Sequence, residues 1–215
     1  MNYKIIDMEK YYRKGVFEHF SKDCKCRISM TVKLDVTKLV EYSKETKTKF
    51  YLNFLYLLCK TLNSKDDYKM YYEYHLNELR CYDKINPIQY VFFEESKTCK
   101  PVYSTYYEDY NTFYTNALKD LEEAKKDPTY KLESSTHPNW FDASFMPWVS
   151  YDSFSVECLD GYLYFPPIVN WGKYYLENNR IMMPVTCGLN HAIADGYLMS
   201  NIFVTLAKEI ETFTK

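Results

Sequence analysis

Between Phe50 and Leu62 the chain reads FYLNFLYLLCKTL, apolar on nearly every side if wound as a helix, and it stops at Asn63-Ser64. A helix with no polar face has to be enclosed by other elements, so this segment predicts a buried helix inside a packed layer. A chain of 215 residues can bury a core of that kind. No repeat or change of composition divides it, so one domain over 1–215 is expected. Aromatic residues make up 19% of the chain and there are 5 glycines, a balance that favours strands and packed interfaces over linkers or glycine-rich phosphate loops. Neither GxGxxG nor a Walker A pattern occurs.

The elements expected around that helix are strands interleaved with a few long helices. Arg27 to Leu34 alternates as a strand and runs into a capped helix start at Asp35-Val36-Thr37. Short strands are expected at Lys69 to Tyr72, Glu78 to Tyr82 and Gln89 to Phe93, with a turn from Asp83 to Pro87. Helical spacing covers Tyr107 to Lys126, and a polar loop follows from Asp127 to Pro138. Three further strands are expected at Ala143 to Ser150, Ser153 to Cys158 and Ile181 to Leu189, before a closing helix from Gly196 to Thr212. This order predicts an α/β fold, a mixed sheet covered by helices in a two-layer sandwich.

Charge narrows the partners. Lys plus Arg number 27 against 29 Asp plus Glu, a net charge of -2, which gives no electrostatic footing for nucleic acid or an anionic membrane surface. The opening MNYKIIDMEKYYRKG is charged where a signal peptide needs an apolar core, and no run approaches a membrane span; a cytoplasmic protein is expected. The seven cysteines (24, 26, 59, 81, 99, 158 and 187) lack CxxC pairs, and Cys24-x-Cys26 stands without downstream ligands, so no metal site is expected.

One of the chain's four histidines lies in Gly188-Leu-Asn-His-Ala-Ile-Ala-Asp-Gly196. His191 would sit where a strand ends, a place from which a rigid scaffold can present a base, with Asp195-Gly196 closing the turn. The residues alone leave two readings open: a catalytic base, or a histidine satisfied in the core with Asp195 as a helix N-cap.

The segment His191-x-x-x-Asp195-Gly196 resembles the signature of the type A chloramphenicol acetyltransferases. So do Pro147-Trp148-Val149-Ser150-Tyr151 with Ser153-Phe154, Gly172-Lys173-Tyr174-Tyr175, Tyr11-Tyr12-Arg13-Lys14-Gly15-Val16-Phe17, and Lys49-Phe50-Tyr51. The matches keep the family's order along nearly the whole chain. The resemblance implies an acetyl-CoA-dependent O-acetyltransferase, a trimer with active sites between subunits, and chloramphenicol as the acceptor. By that resemblance His191 is the general base, Ser150 steadies the oxyanion, and Asp195 pairs with Arg13 to hold the turn. Lys49, Lys173 and Tyr174 match positions that bind coenzyme A.

Three departures are visible. The family's paired histidines are here Asn190-His191. Asn170 stands at a coenzyme A-linked position where threonine is usual. Cys26-Arg27-Ile28 replaces a pocket lining with an aromatic third residue, so Ile28 removes a stacking surface for a nitrophenyl ring, while Phe20 and Cys24 match other pocket positions. A different alcohol acceptor, or a non-catalytic ligand-binding homologue, are the alternatives. Lipoyl-domain acyltransferase cores share a related fold and signature.

Overall fold

The computed structural model describes residues 2–129, 137–157 and 163–213. In chain order the elements are β1 (Tyr3–Ile5), α1 (Lys14–Glu18), β2 (Arg27–Asp35), α2 (Thr37–Glu45), α3 (Phe50–Asn63), β3 (Met70–Glu73), β4 (Glu78–Tyr82), β5 (Asn86–Phe93), β6 (Thr98–Tyr103), α4 (Tyr110–Ala124), β7 (Trp140–Met146), β8 (Ile168–Gly172), β9 (Tyr175–Glu177), β10 (Arg180–Asn190) and α5 (Gly196–Thr212). A mixed sheet runs β2-β10-β8-β7-β5-β6, with β9 on β10, and a small antiparallel sheet runs β1-β4-β3. In the large sheet β7 is parallel to both β5 and β8, and the other pairs are antiparallel. Among the described residues no helix is long and apolar enough to cross a membrane.

Register sorts the large sheet into two unlike faces. Residues directly opposite each other share a face, so Met30, Cys187, Val169 and Ala143 form one row, and Val32, Val185, Trp171 and Phe145 the next. These side chains join Leu52, Leu55, Phe113 and Leu206 of the helices in one core cluster. The alternate rows read Ser29, Gly188, Ile168, Asp142 and then Thr31, Thr186, Asn170, Ser144. Hydroxyls, an amide and a carboxylate thus occupy the face turned away from that core. Helix α3 lies where its composition requires: Leu52, Phe54, Leu55, Leu57 and Leu58 are fully buried, each contributing about 1.5–3 kcal/mol relative to exposure.

Several expectations shift. The strand expected at Ala143 to Ser150 spans Trp140–Met146 and stops before Pro147, which has no amide hydrogen to donate to a ladder. Residues 153–157 form no strand, and Cys158 lies outside the described residues. The helix expected from Tyr107 begins at Tyr110, because the Asp109 carboxylate accepts the Thr112 N–H at 2.7 Å and caps it. In the loop expected at 127–138, residues 127–129 and 137–138 lack regular structure and the middle lies outside the described residues. The strands β1, β6, β8 and β9 and the helix α1 were not foreseen. β8, the run Ile-Val-Asn-Trp-Gly, is buried throughout, and a short strand buried on both faces has no alternation to read.

Gly172 fixes the loop after β7. A Cβ there would meet the Val149 carbonyl oxygen at 2.9 Å, and that carbonyl accepts the Lys173 N–H at 2.9 Å. The close approach lays Val149, Ser150 and Tyr151 over the end of β8.

Candidate active site

β10 ends at Asn190, paired with Arg27 of β2, and the chain then turns sharply. Asn190 shapes that turn from both ends. Its carbonyl accepts the N–H groups of Ile193 and Ala194, each at 3.2 Å, and its side-chain oxygen accepts the Ala192 N–H at 2.9 Å. Ala192, Ile193 and Ala194 are fully buried, the first two against Tyr11, Phe17 and Phe165. An asparagine side chain closing its own turn in this way is a strong local determinant, and Asn190 serves the turn in that way here.

With its neighbours anchored, His191 emerges half-buried. Its N–H donates to the Cys26 carbonyl at 3.0 Å. Its ring Nδ1 lies 2.8 Å from the Ala194 carbonyl oxygen. A carbonyl can only accept, so Nδ1 carries a hydrogen, which in the neutral imidazole puts the lone pair on Nε2. The Phe20 ring stacks on the imidazole at 3.8 Å and 14°, with Phe20 held in the single π-helical turn His19–Asp23 that continues α1. The ring is held in plane by Phe20 and by its Nδ1 contact, and its Nε2 makes no hydrogen bond to another described residue.

Asp195 fills both roles open to it. One carboxylate oxygen accepts the N–H groups of Tyr197 and Leu198 and caps α5. The other pairs with the Arg13 guanidinium at 3.0 Å, with Arg13 9% exposed and Asp195 41% exposed. Burial would raise the Asp195 pKa, but the Leu198 N–H and Arg13 outweigh it and hold the carboxyl below its ordinary value. A depressed carboxyl stabilises the fold above its unfolded pKa of about 3.9, and that stabilisation disappears as pH falls through the lower folded value. Asp195→Asn, which keeps a capping side chain, is therefore expected to lower stability by about 1 kcal/mol at neutral pH, as suits a half-exposed pair. In strongly acidic buffer its unfolding curve should coincide with that of the native chain. A deficit that persists unchanged in acid would mean the ion pair is not the source.

The residues expected to bind coenzyme A separate into two places. Lys49 precedes α3, and its neighbour Phe50 meets the half-exposed Tyr174 edge-on at 5.3 Å; Lys173 adjoins Tyr174. These four gather where β8 ends, near Glu122, whose carboxylate is 3.4 Å from the Lys49 amine. Two lysines beside an accessible aromatic ring suit phosphates and an adenine. Asn170 is apart from them, buried within β8 on the polar face. Its side chain makes no hydrogen bond to another described residue.

Ser150 lies apart from His191, and Ile28 apart from the polar face. Ser150 is exposed in an open groove with Lys33, Tyr151, Asp152, Tyr175 and Glu177. Lys33 pairs with Pro184, and the seven residues from Pro184 to His191 span about 23 Å of extended strand, so Ser150 and His191 do not meet within one chain. Ile28 shares a face with Leu189 and packs on the helices, turned away from the polar face. Cys24 is exposed at the end of the turn that carries Phe20.

The sequence reading missed Ser144. This half-buried hydroxyl stands in register with Asn170 and Thr186 on the polar face, and it too makes no hydrogen bond to another described residue. Its signal was the alternation in Trp140-Phe-Asp-Ala-Ser-Phe-Met146, which puts Asp142 and Ser144 on the opposite face from Phe141, Ala143 and Phe145. Ser144 is also far from its own His191, about 17 Å along β10 and two strands across.

Residues 1–207 match the family model for chloramphenicol acetyltransferase. The chain is 30% identical over 210 residues to a chloramphenicol acetyltransferase of Clostridium butyricum, covering 98% of this chain and 95% of the relative. It is likewise 30% identical to chloramphenicol acetyltransferase 3 of Escherichia coli, covering 98% and 97%. A solved chloramphenicol acetyltransferase superposes with a TM-score of 0.89 at 20% identity, over 96% of this chain and 99% of that one. The fold is also shared, at a TM-score of 0.67 and 14% identity, by a probable dihydrolipoamide acetyltransferase of Listeria monocytogenes, over 94% of this chain and 92% of that one.

Proposed function

The chain belongs to the chloramphenicol acetyltransferase family and is an acyltransferase, and from that premise we propose that it transfers acetyl from acetyl-CoA to an alcohol, with chloramphenicol as the first acceptor to test. The observation that carries the reading is the held imidazole of His191, with its Nδ1 hydrogen engaged and its Nε2 free. Nε2 takes the proton of the acceptor hydroxyl as its oxygen attacks the thioester carbonyl. The tetrahedral oxyanion collapses, the carbon–sulfur bond breaks, and the imidazolium returns the proton to the leaving thiolate. Lys49 and Lys173 hold phosphates of coenzyme A and Tyr174 its adenine.

The oxyanion needs a donor in a water-poor place. Ser150, suggested by resemblance, is exposed in its groove, whereas Ser144 is half-buried beside the uncommitted Asn170 amide, so Ser144 is the better candidate. Either serine lies far from the His191 of its own chain, which favours a homotrimer whose sites form between copies. The edge strand β2, which among the described residues pairs with β10 alone, leaves backbone groups available to a neighbour.

Acceptor-dependent thiol release from acetyl-CoA tests the reading. Ser144→Ala is expected to lower kcat roughly 100- to 1,000-fold, and Ser150→Ala to stay within a few-fold of native. The reverse order would return the role to Ser150. No thiol release with chloramphenicol from a protein that binds coenzyme A would point to another alcohol, and failure to bind coenzyme A would favour a non-catalytic ligand-binding protein.

A further inference from the structure

On the same polar face, one row from Ser144, stands a carboxylate that the acetyl-transfer chemistry does not use. Asp142 accepts the Tyr90 hydroxyl at 2.7 Å on one oxygen and the Tyr164 hydroxyl at 3.1 Å on the other. Tyr164 is itself held: its carbonyl accepts the Arg27 guanidinium at 2.6 Å and the Asn190 amide at 3.4 Å, and the guanidinium carbon lies 5.3 Å from its ring centre. The cluster is therefore pinned to both β2 and the His191 turn. Burial pushes the Asp142 carboxyl up, while the two tyrosine hydroxyls and Arg27 act against it. Each carboxyl oxygen thus has one tyrosine hydroxyl against it.

The hydrogens of both tyrosine hydroxyls are spent on Asp142. What the cluster offers an incoming group is lone pairs. Ser144 is two strand residues away, about 7 Å, so a molecule whose hydroxyl reacts beside Ser144 meets Asp142 with another part of its body. Nitro oxygens are acceptors and would face the remaining lone pairs of Asp142 and of the two tyrosine oxygens, a contact with no hydrogen to share.

We propose that Asp142, held by Tyr90 and Tyr164, is a specificity-determining residue that selects an acceptor alcohol bearing a second hydrogen-bond donor, a hydroxyl or an amine, in place of a nitro group. This rests on the acetyltransferase reading for the location of the acceptor. The cluster stands on the sheet face that carries Ser144 and Asn170, whose side chains bond to no other described residue.

The test uses the full-length chain with chloramphenicol and its analogue in which the nitro group is reduced to an amine. Binding of each is measured by calorimetry and turnover by thiol release, in the native protein, Asp142→Asn and Tyr164→Phe. The native chain is expected to bind the amine about tenfold tighter than the nitro compound, the size of one hydrogen bond to a charged group. Asp142→Asn, which can donate, should bring the ratio to about one with coenzyme A binding intact, and Tyr164→Phe should reduce it. Binding that favours the nitro compound, a ratio unmoved by Asp142→Asn, or no binding of either overturns the proposal. Selective binding without thiol release leaves it standing and overturns acetyl transfer instead.

Discussion

Replacing His191 by alanine lowers acceptor-dependent thiol release roughly 100- to 10,000-fold, the range of a general base, while coenzyme A binding remains near native and the unfolding midpoint falls by only several degrees. The expectation follows from what the side chain does and does not hold. The turn is kept by Asn190 and by the burial of Ala192, Ile193 and Ala194, none of which involves the imidazole. The substitution removes the stack with Phe20, about 0.5–1.5 kcal/mol, and the Nδ1 bond to Ala194. The loss should therefore fall on kcat, with little change in the KM for acetyl-CoA, because the lysines and Tyr174 proposed for coenzyme A lie at a different corner. A variant that retained native turnover would remove His191 from the chemistry, whatever its geometry.

The second large effect is a recovery. If each site joins His191 of one copy to Ser144 of the next, then His191→Ala and Ser144→Ala are each inactive alone, but some sites in a mixed trimer hold both native residues. Random mixing after joint refolding pairs a native histidine with a native serine at about a quarter of the interfaces, half times half for a cyclic heterologous contact. Activity should climb from near background to about a quarter of native. A mixture no more active than its components would exclude a shared site and require a rearrangement within one chain. That rearrangement would have to close the roughly 17 Å of β10 between the Ser144 row and His191.

Much of the scaffold was legible in the order of residues. The all-apolar stretch of α3, the alternation of β2 and the closing helix Gly196–Thr212 have strong local signals, and each lies where it was expected. β8 was hidden because a strand buried on both faces looks like any short apolar run. The site was legible in part. The pattern His191-x-x-x-Asp195-Gly196 marked the turn, and the Arg13–Asp195 contact joins residues 182 apart in sequence that only resemblance had connected. Ser144 and Asp142 are not legible from a strand that starts at Ala143, because the Phe-Asp-Ala-Ser-Phe alternation that sets them on one face begins before it.

By itself the sequence determined which segments bury and where the chain turns, since periodicity, capping side chains and an asparagine closing its own turn act over a few residues. It determined the family too, through motifs kept in order. Only the tertiary structure decided which polar groups share a face, that Ile28 packs toward the core, that Nδ1 of His191 faces a carbonyl, and that His191 and either serine stand far apart within one chain. Those depend on strand register across β2, β10, β8 and β7, where residues from opposite ends of the chain become neighbours and a shift of one residue would exchange the two faces of the sheet.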